Sequence, residues 1–230
     1  LAGERTRILL SDSAPQRYRD FVEEFGERTN TIRVDVGYGR DTRDSLIFPT
    51  KGRLQSVTAE IAIPPGDLTY YRLTYQHQWL YPVTSWATVS LNGEIGYADG
   101  FRGKRLPFFK NFYAGGVDSI RGFQSFSLGP RDEFNEPIGG LKRFVGNAEV
   151  LFPMPGLKND KSVRISAFVD TGNVFGKTEK ISFDKFRVST GLAVSWISPV
   201  GPLKFSLAKP TRKADSDKIE RFQFLLGKTF

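Results

Sequence analysis

Long stretches in which apolar and polar side chains alternate are the feature that most constrains the fold of this 230-residue chain. Between Ala87 and Tyr97, the odd-numbered positions carry apolar residues or glycine and the even-numbered positions carry polar residues or glycine. A period of two is typical of a β-strand whose faces meet different surroundings. The same alternation recurs over residues 32–38, 57–63, 71–81, 144–152, 163–169, 186–196, 203–207 and 220–230. The sequence therefore predicts an all-β fold.

The length of these strands favours a membrane-spanning sheet. Many of them run for about 9 to 13 residues, which is longer than usual for a soluble sheet and close to what a tilted strand needs to cross a bilayer. Aromatic residues lie near the strand ends, as in the interfacial girdles of membrane barrels: Tyr70, Tyr71, Trp79, Tyr81, Trp86, Tyr97, Trp196 and Phe230. We therefore expect a transmembrane antiparallel β-barrel. A large soluble β-sandwich with a binding role is the alternative, because its strands alternate too.

Composition excludes several other classes of protein. A hydrophobic content of 39% is too high for a disordered chain, and no apolar run approaches the roughly 18 residues of a membrane helix. The net charge of +8 raises the question of nucleic acid, but the basic residues are scattered, so no nucleic-acid partner is expected. With no cysteine, a single histidine, His77, and no acidic cluster of EF-hand spacing, the sequence predicts neither an enzyme nor a metal or other cofactor.

The connections between strands differ in length. Residues 81–86 and 198–201 read as tight turns, whereas 100–142, 174–185 and 210–219 are longer loops. Long and short connections alternate in barrels whose two ends face different compartments, and placing Phe230 at the periplasmic end makes the short turns periplasmic. Near the N-terminus, residues 11–30 are predicted to be an outer loop that contains a short amphipathic helix, with Ser13 as its N-cap and Gly26 as its end. Residues 5–10 are predicted to form one further strand.

Five segments carry a family resemblance. In chain order they are FFKNFYAGGVDSIRGFQSFSLGPR (108–131), GNAEVLFPMPG (146–156), AFVDTGNVF (167–175), SPVGPLKFSLAKP (198–210) and RFQFLLGKTF (221–230). Together they resemble the BamA family of outer-membrane β-barrel assembly factors. The resemblance implies that residues 1–230 are the C-terminal nine to ten strands of a sixteen-stranded barrel in the bacterial outer membrane, with the periplasmic POTRA domains absent from this chain.

The resemblance also gives a role to the arginine in the segment SIRGFQSFSLGP, residues 119–130. In the family this long loop folds into the barrel interior, where the arginine pairs with acidic residues on inward strand faces. The polar phase of the strands supplies Glu149 and Asp170 as candidate partners of Arg121, and charge-assisted hydrogen bonds favour an arginine between two carboxylates. We expect Gly122 to let the backbone approach the barrel wall and Phe123 to pack on it. The alternative is that Arg121 is a solvated loop residue.

The final strand, residues 220–230, resembles the signal by which outer-membrane barrels are recognised by their assembly machinery. Phe222, Phe224 and Leu226 share the phase of the terminal Phe230. Lys228 departs from the family pattern, which favours an aromatic residue at that place. Gly227 is expected to weaken the strand, and the resemblance implies a seam beside it.

The resemblance implies that the protein folds and inserts unfolded outer-membrane proteins, with membrane lipid as a second partner and assembly lipoproteins bound through the missing POTRA domains. Two other functions share features of the sequence. A TamA-type assembly factor or a two-partner-secretion transporter has the same arginine motif, and a passive outer-membrane pore has the same kind of strands. A loop folded inward would plug such a pore.

Overall fold

The architecture is one large antiparallel sheet with a long segment folded onto one of its faces. The computed structural model describes residues 1–11, 14–154, 156 and 162–227. Within this part of the chain, no helix is both long and apolar enough to cross a membrane. The elements are, in chain order, β1 (Ala2–Arg7), α1 (Gln16–Phe25), β2 (Arg28–Asp41), β3 (Gly52–Ile63), β4 (Tyr70–Pro82), β5 (Thr88–Gly100), β6 (Gly122–Phe123), β7 (Lys142–Pro153), β8 (Val163–Phe175), β9 (Arg187–Ser198), β10 (Gly201–Arg212), β11 (Ile219–Glu220) and β12 (Phe222–Leu226).

Ten strands form the large sheet in the order β1-β2-β3-β4-β5-β7-β8-β9-β10-β12, and each pair is antiparallel. β6 and β11 form a separate two-stranded sheet. Within the described residues, β1 and β12 are the edge strands, because each pairs with one neighbour only. The predicted antiparallel all-β fold is confirmed, and its strand number agrees with the nine to ten that we expected.

The two faces of the sheet differ as the alternation predicts. Large apolar side chains are exposed on one face, here called the outer face, and they include Val57, Ile61, Leu73, Tyr75, Trp79, Leu91, Ile95, Val150, Val169, Leu192, Leu207 and Phe222. Register keeps them together: Tyr75 pairs with Ile95 and Leu192 pairs with Leu207. An exposed apolar belt of this extent is what a lipid-facing surface requires.

The hydrophobic core lies between the opposite, inner face and the segment 101–141. Phe112, Ile120 and Phe123 of that segment are buried in one cluster with Tyr70 and Val145 of the strands. The segment, here called the arginine loop, thus folds onto the inner face, as the sequence predicts. Helix α1 adds to the same core through an aromatic contact of Phe21 with Phe108, whose ring centroids are 5.4 Å apart.

Several predicted boundaries shift in the structure. The strand expected at residues 5–10 lies at Ala2–Arg7, because its register with β2 pairs Ala2 with Arg33 and Arg7 with Arg28. Helix α1 begins at Gln16 with Pro15 at its N-cap position, while the predicted N-cap, Ser13, lies outside the described residues. Gly26 ends the helix as expected, at a φ of 83°.

The single final strand expected at residues 220–230 is two strands in the structure. β11 pairs with β6 of the arginine loop, whereas β12 pairs with β10 of the large sheet. The chain changes partner between them at Arg221. β12 ends at Leu226, and Gly227 follows with a φ of 88°. Lys228 and Phe230 lie outside the described residues.

Candidate functional site

Arg121 is the centre of the site, and its strongest contacts are with Asp170 on β8. Its Nε and Nη2 atoms donate hydrogen bonds to Asp170 Oδ2 and Oδ1, each at 2.7 Å. The backbone N–H of Arg121 also donates to Asp170 Oδ2, at 3.0 Å. The Arg121 side chain is 2% exposed and that of Asp170 is fully buried. One carboxylate therefore holds both the side chain and the backbone of the loop arginine.

Two further groups enclose the guanidinium. Glu149 on β7 accepts from Arg121 Nη2 through Oε1 at 2.5 Å, and the Phe168 ring of β8 lies under the guanidinium carbon at 3.4 Å from the ring centroid. Burial favours the neutral form and would lower the pKa of Arg121, but the hydrogen bonds to Asp170 and the charge of Glu149 outweigh it and raise that pKa. The structure thus brings together Arg121, Glu149 and Asp170, the three charged residues that sequence analysis selected.

A row of amide side chains connects this ion pair to the middle of the sheet. Asn147 Nδ2 donates to Asp170 Oδ1 at 2.9 Å and to the backbone oxygen of Ser119 at 2.6 Å. Asn92 donates to Asn147 Oδ1 at 3.0 Å, and Gln76 donates to Asn92 Oδ1 at 3.1 Å. The row crosses β4, β5, β7 and β8, so the neighbouring strands also hold Asp170 in place.

Gly122 and Phe123 follow the arginine in β6. Gly122 has a φ of 87°, and a Cβ atom at this position would lie 3.0 Å from the Cβ of Ala208 on β10. This is the close approach to the sheet that we expected of Gly122. Phe123 is fully buried in the core beneath the loop.

The strand β12 is short, and among the described strands it pairs with β10 alone. Phe222, Phe224 and Leu226 point to the outer face, where they are 62%, 54% and 54% exposed. Phe224 also stacks on Phe205 of β10, with ring centroids 5.5 Å apart. Gly227 directly follows the strand, in a left-handed conformation that suits a residue without a side chain.

Sequence analysis missed Gln223, the inward residue of β12, which is 3% exposed. Its Oε1 accepts from the backbone N–H of Gly122 at 3.1 Å, and its Nε2 donates to the backbone oxygen of Phe123 at 2.7 Å. The available signal was a polar residue at an inward position between two lipid-facing phenylalanines. Its partners could not be named from the sequence, since they lie about a hundred positions away.

A second ion pair holds the arginine loop nearer its start, and it too was missed. Lys110 Nζ donates to Glu60 Oε1 of β3 at 2.7 Å, and the hydroxyl of Tyr70 donates to the same oxygen at 2.5 Å. Both side chains of the Lys110–Glu60 pair are mostly buried. Within the described residues, no group of three or more histidine, aspartate or glutamate side chains is placed to hold a metal ion.

Comparison with known proteins places this arrangement in a family. The model of the Omp85 superfamily domain matches residues 3–230. The chain belongs to the Omp85 superfamily. Its Omp85 domain is 40% identical over 267 aligned positions to the outer membrane protein assembly factor BamA of Neisseria meningitidis serogroup B, across 100% of this chain and 34% of that protein. It is 30% identical over 240 positions to BamA of Nitratidesulfovibrio vulgaris, across 97% of this chain and 29% of that protein.

A solved structure shares the fold of this Omp85 domain. The crystal structure of BamA from Haemophilus ducreyi lacking POTRA domains 1-3 matches with a TM-score of 0.86 at 27% identity, over 99% of this chain and 49% of that one. The chain thus spans about a third of the length of the two BamA relatives and about half of the solved chain. The predicted resemblance to the BamA family is confirmed in sequence and in fold.

Proposed function

We propose that the protein to which this Omp85 domain belongs is an outer-membrane protein assembly factor, which folds β-barrel proteins and inserts them into the bacterial outer membrane at a seam beside β12. The 40% identity to BamA over the whole chain supports this function. The observation that carries the seam is the terminal strand itself: β12 is five residues long, has one strand partner, and is held from inside by the arginine loop.

The mechanism follows from the unpaired edge of β12. Backbone N–H and C=O groups on a free strand edge can pair with an incoming strand, which is β-augmentation. A client strand that pairs there has its polar backbone satisfied, and its apolar side chains then turn to lipid. Client folding itself therefore supplies the driving force, and the activity needs no covalent chemistry and no cofactor.

The arginine loop has a structural role in this proposal. Arg121 fixes the loop to β7 and β8, Gly122 allows close contact with β10, and Phe123 fills the core between loop and sheet. A fixed loop occupies the inner face beside the seam. It thereby disfavours an open channel and keeps the edge strand in one position.

The partners of the whole protein follow from the same proposal. Unfolded outer-membrane proteins are the clients, and the exposed apolar belt of the outer face meets membrane lipid. Assembly lipoproteins would bind through POTRA domains elsewhere in the protein, outside this chain.

Reconstitution tests the function directly. The intact protein is placed in lipid vesicles, a urea-denatured β-barrel client is added by dilution, and client folding is followed by heat-modifiable gel mobility and protease protection. We expect client folding to be about tenfold faster than in protein-free vesicles, which corresponds to a barrier lowered by about 1.4 kcal/mol. Equal rates in both kinds of vesicle, together with high steady ion conductance, would instead identify a passive pore.

A further inference from the structure

We infer that the Gln223 side chain is a positioning residue that couples the terminal strand to the arginine loop. Its amide supplies one acceptor and one donor to two consecutive backbone groups of the loop. The effect on assembly rests on the proposed function, whereas the coupling itself is a property of the fold.

The contact is bidentate, and the left-handed conformation of Gly122 turns both backbone groups toward the same side chain. Gln223 Oε1 accepts from the N–H of Gly122 and Gln223 Nε2 donates to the oxygen of Phe123, so one side-chain amide pairs with two consecutive loop residues. Those two residues are β6, whose strand partners are Ile219 and Glu220 of β11, and the oxygen of Phe123 also accepts from the N–H of Gly116 at 2.9 Å. The loop backbone is therefore bonded twice to the C-terminal segment, once by β11 and once by a side chain of β12.

Only an amide fits both contacts. The N–H of Gly122 needs an acceptor and the oxygen of Phe123 takes a second donor beside the N–H of Gly116, and a glutamine side chain carries one of each. Nε2 also donates to Glu220 Oε2 at 3.2 Å. A carboxylate at position 223 would lose both donors and would face the oxygens of Phe123 and Glu220.

The contact matters because β12 has few other bonds. Its five residues pair with β10 alone among the described strands. The loop end of the contact is rigid, since Arg121 is tied to Asp170 on β8 and to Glu149 on β7, and these strands are separated from β12 by two and three others in the sheet order. Gln223 thus connects the weakly held edge strand to the most buried ion pair of the described residues.

Two substitutions distinguish the hydrogen bonds of the Gln223 amide from the space that its side chain fills. Gln223→Met keeps the length of the side chain without hydrogen bonds, and Gln223→Glu keeps the shape and adds a charge. The matched controls are Gln78→Met and Gln78→Glu, because Gln78 is another inward glutamine, accepts a hydrogen bond from Arg43 Nη1 at 3.1 Å, and lies outside the row of amides that leads to Asp170. Hydrogen–deuterium exchange, read by mass spectrometry on the intact protein in lipid, reports on each segment.

Gln223→Met loses both hydrogen bonds to the loop and Gln223→Glu loses the one to Phe123, so we expect faster exchange, by about tenfold or more, in the segments 116–126 and 217–226 of both variants. Segment 163–175, which holds Asp170, should exchange as in the wild type. Unchanged exchange in the first two segments would overturn the inference. So would equally faster exchange across all strands, or an effect confined to Gln223→Glu, since repulsion alone would explain the latter.

The consequence for assembly is measured in the reconstituted vesicles. A loosened β12 is a poorer template, so Gln223→Met should lower the initial rate of client folding per folded molecule by about threefold or more, because the edge must be ordered on each encounter. Wild-type rates in Gln223→Met would refute the positioning role. A wild-type protein that accelerates no client would refute the proposed function instead, and the exchange result would still stand.

Discussion

Asp170 accepts three hydrogen bonds from Arg121, two from its guanidinium and one from its backbone N–H. The side chain of an arginine and the path of the loop that carries it are therefore fixed by the same carboxylate. A solvated loop arginine, the alternative considered from the sequence, would share neither contact.

The Arg121–Asp170 pair should be strongly coupled. Arg121→Ala and Asp170→Ala each leave a charge buried without its partner, so we expect each to lower the free energy of unfolding by about 3 to 5 kcal/mol. The double variant should lose less than the sum of the two, since it leaves neither charge of this pair without the other. Urea unfolding in detergent gives the three values, and limited proteolysis of the segment 101–141 shows whether the loop is released.

An exposed ion pair between the arginine loop and the segment before β11 is the control. Lys218 Nζ donates to both oxygens of Glu136, but both side chains are exposed. Lys218→Ala should change the free energy of unfolding by about 0 to 1 kcal/mol. Losses for the Arg121 and Asp170 variants as small as this, with unchanged protease resistance, would show that the buried pair does not fix the loop.

Gly122 should be intolerant of any side chain. Gly122→Ala combines a left-handed backbone with a contact of 3.0 Å to the Cβ of Ala208, and we expect a loss of about 2 to 4 kcal/mol. Gly103 provides the comparison, because its φ is 77° but a Cβ atom at this position would meet nothing within 4 Å. Gly103→Ala should therefore lower the free energy of unfolding by only about 1 to 2 kcal/mol, which is the strain of a left-handed backbone at a residue with a side chain.

A second substitution, which removes the Cβ of Ala208, tests the contact between position 122 and β10. If the approach of loop and sheet limits position 122, Ala208→Gly in the Gly122→Ala background should recover part of the loss. Thermal unfolding of the single and double variants measures this. Equal losses for Gly122→Ala and Gly103→Ala would contradict the role of the close approach.

Sequence alternation predicted much of this site because it depends only on strand phase. Once β7 and β8 are placed, the period of two directs Glu149 and Asp170 inward without further information. The same rule could not predict the change of partner at Arg221, since the period of two gives the face of each side chain but not the strand to which its backbone bonds, which changes from β6 to β10. The choice of strand partner depends on the tertiary fold.

For a related reason, the sequence did not predict the second ion pair of the loop, between Lys110 and Glu60. Lys110 lies in an irregular segment with no period that would orient it, so its contact with Glu60, 50 positions away, has no signature in the sequence. Glu60 by itself was one of several acidic residues on an inward face. Glu60 differs from them only because the path of the folded loop brings Lys110 next to it.

Lys110 should anchor the first part of the arginine loop independently of Arg121. Lys110→Met keeps the aliphatic length but removes a charge-assisted hydrogen bond, and we expect a loss of about 1.5 to 3 kcal/mol. Hydrogen exchange should rise in the segment 104–116 and stay unchanged around Asp170. Lys177→Met is the control, because Lys177 bonds Asp99 at 2.9 Å but is itself mostly exposed. A uniform rise along the whole loop would argue for one anchor rather than two.

The free edge of β12 gives the sharpest test of the proposed seam. The N–H of Gly227 donates to the oxygen of Pro202, and the N–H of Ala208 donates to the oxygen of Arg221, both between β10 and the C-terminal segment that contains β12. Because the backbone groups of a strand point alternately to its two sides, the odd-numbered residues of β12 face β10 and the even-numbered residues face the free edge. Among the described residues no strand pairs with this edge, and the proposed seam makes the N–H of Phe224 a donor to an incoming strand.

Phe224→Pro removes that N–H without breaking a bond to β10, since proline is tolerated at the free edge of an edge strand. Phe224→Ala removes the same ring and keeps the N–H. If clients pair with this edge, Phe224→Pro should slow client folding in the vesicles by about fivefold or more relative to Phe224→Ala, because a hydrogen bond worth about 1 kcal/mol is lost at the template. Both variants should show the same heat-modifiable mobility. Equal rates in these two variants would mean that client strands do not use the edge of β12.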